Sequence, residues 1–224
     1  MITFVLTSCG RFAELENTLE SFFKYNTSKI DRYIIIEDSG CEIMKSACIE
    51  LNAKYDNIFE FIFNKDRIGQ IKSIDEAYSL ITTEYIFHCE DDWEFYRTGF
   101  IEDSMAILEA NDKIINIWLR SLSDTNGHPV SQEVYEDASV QYRLLDTNWR
   151  ERWCGFSFNP GLRRLKEYSM LKPYSDIKPA FPAGTQKFYT PESEIGIKYR
   201  NMGYYAAILT HSAVRHTGWG KQIK

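Results

Sequence analysis

Short apolar runs alternate along this chain with stretches whose apolar residues recur at helical spacing. Ile2 to Thr7 reads as a strand that leads through Ser8-Cys9-Gly10-Arg11 into a helical pattern, Phe12 to Tyr25, with Leu15, Leu19, Phe22 and Phe23 on one face. Arg32 to Glu37 follows as a second strand, apolar at successive central positions, which suits a parallel strand covered on both faces. It stops at Asp38-Ser39-Gly40. A helix over Cys41 to Tyr55, a strand over Ile58 to Phe63, the loop Asn64 to Gly69 and a helix over Gln70 to Ile81 then feed the strand Glu84 to Cys89. This order predicts an α/β fold, Rossmann-like, with a doubly wound, mostly parallel central sheet flanked by helices.

The pattern continues with a helix over Gly99 to Ala110 and a strand over Lys113 to Leu119. Arg120 to Arg152 is polar and irregular, with a turn at Asn126-Gly127-His128-Pro129 and a hairpin pattern around Val134 to Leu145. A long irregular stretch in a compact domain suits a lid or binding loop. Trp153 to Phe158 reads as a strand, Pro160 as the first residue of a helix, Pro191 to Met202 as a helix, and Tyr204 to Thr210 as a late strand before the tail His211 to Lys224.

The strongest chemical signal is Glu90-Asp91-Asp92 at the end of an apolar strand. Neighbouring carboxylates repel and, once desolvated, need protons or a cation. Hard oxygen ligands suit Mg²⁺ or Mn²⁺, which take further ligands from water and a substrate phosphate. The competing reading is a solvated acidic turn with Asp92 capping the next element. In open α/β sheets ligands gather beyond the carboxyl ends of the strands. Thr7, Arg11, Asp38, Lys65 and Arg67 all fall at such ends, which favours a site.

Size and charge narrow the classes. The 224 residues suit one domain, 1–224. With 32 acidic and 26 basic residues the net charge is −6, so no global footprint for nucleic acid exists. Five cysteines without a C-x-x-C pair argue against a disulfide framework or a zinc site. His88, inside an apolar run, reads as a satisfied core histidine, and Trp93 as packing. No stretch approaches the roughly 18 apolar residues of a membrane span, so the expectation is a soluble, cytoplasmic protein.

Taken together, Thr7-Ser8, Asp38, Asn64 to Gly69, Glu90-Asp91-Asp92 and Glu192 to Tyr204 resemble, in order and spacing, the GT-A glycosyltransferases, family 2 especially. The resemblance implies transfer of a sugar from a nucleotide-diphosphate sugar, commonly a UDP-sugar, to an acceptor hydroxyl, with Mn²⁺ or Mg²⁺ as cofactor and inversion at the anomeric carbon. It also implies a nucleotide-sugar-binding half, 1–119, and an acceptor-side half with the tail, 120–224. Glu90-Asp91-Asp92 matches the D-x-D motif with Glu in its first slot. Asp92 would then bind the metal, Glu90 would meet the metal shell or the donor, and His216 would be a late metal ligand. Asp38 would hydrogen-bond the donor's base, with Thr7, Arg11, Lys65, Arg67 and Asp91 around the nucleotide. Pro191-Glu192-Ser193-Glu194-Ile195 stands at the family's acidic motif, so the catalytic base falls on Glu192, with Glu194 as understudy. Lys221 or Arg215 would neutralise the leaving diphosphate, and Trp153, Asn159 and Arg163 would line the sugar and acceptor cleft. The acceptor stays open: glycan, lipid-linked sugar, protein or modified nucleic acid. Two competing readings are a sugar-1-phosphate nucleotidyltransferase and a non-catalytic nucleotide-sugar-binding protein on the same scaffold.

Overall fold

The computed structural model describes residues 1–148, 154–178 and 190–218. The first half runs β1 (Ile2–Ser8), α1 (Phe12–Tyr25), β2 (Arg32–Glu37), α2 (Glu42–Lys54), β3 (Phe59–Phe63), α3 (Gln70–Ser79), β4 (Tyr85–Glu90), β5 (Trp93–Phe95), α4 (Phe100–Ala110) and β6 (Ile114–Trp118). The second half adds β7 (Tyr135–Asp137), β8 (Val140–Leu144), β9 (Gly161–Arg164), α5 (Leu165–Leu171), α6 (Pro191–Asn201), β10 (Tyr205–Leu209) and β11 (Val214–His216).

The central sheet has the order β3-β2-β1-β4-β9. Its first four strands are parallel, and β9 closes the edge antiparallel to β4, Ile86 opposite Arg163 and His88 opposite Gly161. The strands are apolar throughout because both faces are covered. Phe4 and Leu6 enter one apolar cluster with α1 and α4, while Val5 enters the other with α3 and α6. The first cluster is largely aromatic: Phe22 lies 4.4 Å from Phe4 and 5.3 Å from Phe95, ring centre to ring centre. A second sheet, β6-β10-β8-β7, and the short pair β11-β5 complete the sheet structure.

Three sequence expectations give way here. Cys154 to Phe158 is not a strand, and Pro160 does not open a helix: it precedes β9, and the helix begins only at Leu165. β9 gives the open flank of β4 its hydrogen-bonding partner, and Gly161 lets β9 pass close to β6, since a Cβ there would lie 2.6 Å from the Ile117 carbonyl oxygen. The tail likewise contains a strand, β11, paired with β5 directly after the acids, so Asp92 caps no helix. The hairpin expected around Val134 to Leu145 is present as β7 and β8, turning through Ala138 and Ser139 at φ 48° and 66°, the left-handed region that two-residue hairpins use. All five cysteines are free, and no helix among the described residues is long and apolar enough to cross a membrane.

His88 is fully buried, as expected of a core residue, but it is not satisfied. Neither ring nitrogen has a hydrogen-bond partner among the described residues. Burial, helped by the charge of Arg163, pushes its pKa well below the ordinary imidazole value of 6.5. The folded chain therefore keeps a neutral ring where the unfolded chain takes up a proton, so this residue costs stability progressively as pH falls below 6.5. His88→Phe is expected to lose less of its urea midpoint than wild type between about pH 7.5 and about pH 5.5. Parallel midpoints measured at the two pH values check this, and equal losses in both proteins would contradict it.

Candidate functional site

β4 delivers the three acids to the carboxyl edge of the sheet, where each meets a different environment. Asp91 is fully buried and turns under the sheet edge. Ser8 Oγ donates to it at 3.0 Å, Arg11 Nε donates at 3.2 Å, and Arg11 Nη2 closes a second bond to the other carboxylate oxygen. Burial raises its pKa to about 6, with Arg11 opposing, so it is ionised at neutral pH. Thr18 of α1 holds the same turn: its hydroxyl lies 2.8 Å from the carbonyls of Asp91 and Trp93 and accepts the Trp93 amide at 3.1 Å.

Asp92 faces the other way. Its Oδ2 receives Arg11 Nη1 at 2.8 Å and lies 3.3 Å from His216 Nε2. Burial acts to raise its pKa, but His216 and Arg11 outweigh it and the net shift is downward, so it is a carboxylate. β11 brings His216 here by pairing with β5, His216 opposite Trp93, and the Thr217 amide donates to the Asp92 carbonyl at 2.8 Å. A Cβ on Gly218 would collide with the Asp92 carboxylate, so the close passage of the chain requires glycine.

Glu90 is half-buried and turns toward α3 and β5. Gln70 Nε2 donates to Oε1 at 2.6 Å and Trp93 Nε1 to Oε2 at 3.3 Å. Burial, then the charges of Asp92 and Glu192, push its pKa well up. Trp93 is thus a packing residue, as expected, that also donates to the site.

Glu192 arrives from the other half of the chain. Thr190 and Ser193 form a reciprocal cap with Pro191 as the first helical residue, which fixes Glu192 in the first turn of α6. Its Oε1 accepts the Phe158 amide at 2.6 Å and the Ser157 hydroxyl at 3.1 Å. Both of these bonds fall on Oε1, so Oε2 is the oxygen they leave over. Burial raises its pKa against those two donors and the charges of Arg163 and Arg120. Glu194, by contrast, is buried on α6.

The remaining expected residues divide. Thr7, Arg11, Asp38, Arg67, Glu90 and Asp91 line one cleft, whereas Lys65 lines a neighbouring one with Glu37 and Lys45. Asp38 is engaged in shaping its own loop: Asn64 Nδ2 and the Ile68 amide donate to Oδ1 at 2.7 and 2.9 Å, and the Gly69 amide to Oδ2 at 2.7 Å. Of the roughly four acceptor positions of a carboxylate, one is left for a ligand. Arg215 points away from the acids and pairs with Glu94 on the surface. Arg163 is buried rather than lining an open cleft, and Asn159 is half-buried beside Glu192's partner Ser157, whose Oγ accepts its amide at 3.1 Å. Trp153 and Lys221 lie outside the described residues. Sequence reasoning missed Ser8, Thr18, Gln70, Ser157 and Arg120. Arg120 carried a legible signal, a charge continuing an apolar strand, and it sits buried with its guanidinium 5.3 Å from the Trp93 ring.

The donor set admits a divalent cation. Asp92 Oδ2 and His216 Nε2 offer one hard oxygen and one imidazole nitrogen at a spacing compatible with adjacent ligands. No group of three or more His, Cys, Asp or Glu is set to hold a metal among the described residues. An ion bound here would draw its other ligands from water and substrate, and Arg11 competes for the same carboxylate oxygen.

No family model matches the chain, and no curated protein matches it in sequence. Solved structures match in shape. PcManGT, a mannosyltransferase from Pyrobaculum calidifontis solved with GDP-Man and Mn²⁺, superposes over 95% of this chain and 55% of its own, with a TM-score of 0.64 and 11% identity. GalNAc-T7, solved with UDP, GalNAc and Mn²⁺, gives 96% and 43%, a TM-score of 0.64 and 14% identity. TarS of S. aureus, residues 1-349, gives 97% and 61%, a TM-score of 0.63 and 13% identity. The chain therefore has the GT-A glycosyltransferase fold, and spans about half the length of these relatives.

Because Asp91 is buried and Arg11 is its counter-charge, Arg11→Met is expected to destabilise the protein by about 3 kcal/mol, the low end for breaking a buried pair since Arg11 stays partly exposed. Adding Asp91→Asn should recover much of that loss. Urea unfolding of the two variants measures both; an Arg11→Met protein as stable as wild type would show the pair to be unimportant.

Proposed function

We propose that this chain is a metal-dependent glycosyltransferase that moves a sugar from a nucleotide-diphosphate sugar, a UDP-sugar first among candidates, to an acceptor hydroxyl with inversion. The observation that carries this reading is the Asp92 carboxylate 3.3 Å from His216 Nε2 at the carboxyl edge of the sheet, on a fold shared with solved glycosyltransferases. That carboxylate-imidazole pair is suited to a cation, and Glu192, fixed in the first turn of α6, is a carboxylate suited to a base. Solved relatives carry GDP-Man or UDP together with Mn²⁺, which supports the same donor class here.

In the proposed reaction the acceptor oxygen attacks the anomeric carbon, and the bond from that carbon to the diphosphate oxygen breaks with its electron pair on the departing nucleotide. Glu192 Oε2 accepts the acceptor's proton. Placement in the first turn of α6 favours its charged form through the helix dipole, offsetting part of the burial cost. Asp92 and His216 would hold the cation, which when bound supplies Lewis-acid stabilisation of the diphosphate. Arg11 stands beside that position and is suited to the same negative charge, a role that Arg215 cannot take from its place on the surface. Thr7, Asp38 and Arg67 line the nucleotide end of the cleft. Acceptor choice belongs to the second half of the chain, where β7 and β8 lie.

Nucleotide release from UDP-glucose, UDP-N-acetylglucosamine, UDP-galactose and GDP-mannose, with and without Mn²⁺, tests the class. Turnover that requires Mn²⁺ supports it; formation of a nucleotide sugar from UTP and a sugar 1-phosphate instead would replace it. Asp92→Asn is expected to remove metal-dependent turnover. Glu192→Gln should keep nucleotide binding while lowering transfer by about 10²- to 10⁴-fold. Near-normal transfer by Glu192→Gln would move the base elsewhere.

A further inference from the structure

Arg163 lies in the middle of β9, opposite Ile86, and is 3% exposed. Its guanidinium packs 5.6 and 5.5 Å from the rings of Phe156 and Phe158. Nη2 donates to the Ser157 carbonyl at 3.0 Å, while Nε and Nη1 have no hydrogen-bond partner among the described residues. No carboxylate forms an ion pair with it among those residues. A buried, unneutralised guanidinium is costly unless something nearby gains from its charge.

What it holds is the segment that binds Glu192. The Ser157 carbonyl takes Arg163, and the Ser157 hydroxyl and the Phe158 amide point to Glu192 Oε1 at 3.1 and 2.6 Å. The Asn159 amide donates to Ser157 Oγ at 3.1 Å, which leaves the hydroxyl proton to be given to Glu192. With Oε1 fixed by two donors, Oε2 is the oxygen presented for chemistry.

We infer that Arg163 is a positioning residue for Glu192: it clamps the Ser157-Phe158 turn so that both donors stay on Oε1. Its charge acts in the same sense, favouring the carboxylate form. This rests on the reading of Glu192 as the base. It replaces the expectation that Arg163 contacts the sugar, because a side chain this deeply buried meets the turn and not the open cleft. Among the described residues, Arg120 and Glu90 also act on Glu192. Arg120 acts in the same direction as Arg163, and Glu90 acts against both when ionised.

The test combines two readouts on Arg163→Met, Arg163→Lys and Ser157→Ala. The first follows Glu192 by carbon NMR of glutamate carboxyls, its signal identified by its absence in Glu192→Gln. Arg163→Met is expected to raise the titration midpoint by about one pH unit, a tenfold shift in the protonation equilibrium. Ser157→Ala should raise it by less, and Arg163→Lys should restore part of it. The second uses whichever of the four nucleotide sugars named above the wild type consumes with Mn²⁺. There kcat should fall about tenfold or more in Arg163→Met with donor KM unchanged, as loss of an ordered general base predicts. An unmoved midpoint in both folded Arg163 variants would overturn the proposal, as would a raised donor KM with unchanged kcat, which would mark a substrate contact. Should Arg163→Met not fold, the Arg163→Lys and Ser157→Ala midpoints decide: neither one moving would also overturn it. Failure of the base reading itself would look different, since Glu192→Gln would then transfer normally whatever the midpoint did.

Discussion

Burial of a negative charge at the end of β4 is the constraint around which this molecule is arranged. Asp91 has no exposed surface, and an unpaired carboxylate there would be untenable. Arg11, one residue before α1, supplies the counter-charge and spans Asp91 and Asp92 together. The pair ties the loop after β1 to the turn after β4, while the Thr18 hydroxyl binds the same turn to α1. Glu37 Oε1 adds a further tie by accepting the amides of Gly10 and Ser39, so the loops after β1 and β2 are joined as well. A rigid floor results, and on it Asp92 and Glu90 are aimed in different directions.

The three adjacent acids thereby take three chemical characters. Asp91 is structural, Asp92 is the ionised partner of His216, and Glu90 is held toward protonation by burial and by its acidic neighbours. Glu192 occupies a fourth condition, in which backbone and hydroxyl donors offset burial on one oxygen only. One firmly charged carboxylate and others of raised pKa are suited respectively to holding charge and to moving a proton.

The first half of the fold was readable because parallel strands covered on both faces are continuous apolar runs, and the intervening helices carry their own periodicity. The place of Glu192 in the first turn of a helix was readable from Pro191 and the first-turn acids. β5 and β11 were not, since strands of three residues have no period to detect and their pairing joins distant parts of the chain. β9 was hidden for a related reason: Gly161-Leu162-Arg163-Arg164 is polar in composition, yet all four residues are buried. Arg164 is accommodated by donating to the carbonyls of Leu108 and Ile114 and to Glu167, contacts that only the folded chain creates. The differing fates of Asp91 and Asp92 were equally invisible, because adjacent residues in a turn are sorted by what lies on either side of it.

The pairing of β11 with β5 also sets an order of assembly. Asp92 and Arg11 are synthesised before His216, and their ion pair joins the loop after β1 to the turn after β4. His216 is made well after them, and reaches Asp92 only by closing a loop over the intervening chain. During synthesis Arg11 can therefore hold the acids together before the imidazole is available. Completion of the Asp92-His216 pair is then a later event that reports the return of β11 to β5, and a nascent or misthreaded chain would carry the acidic floor without it.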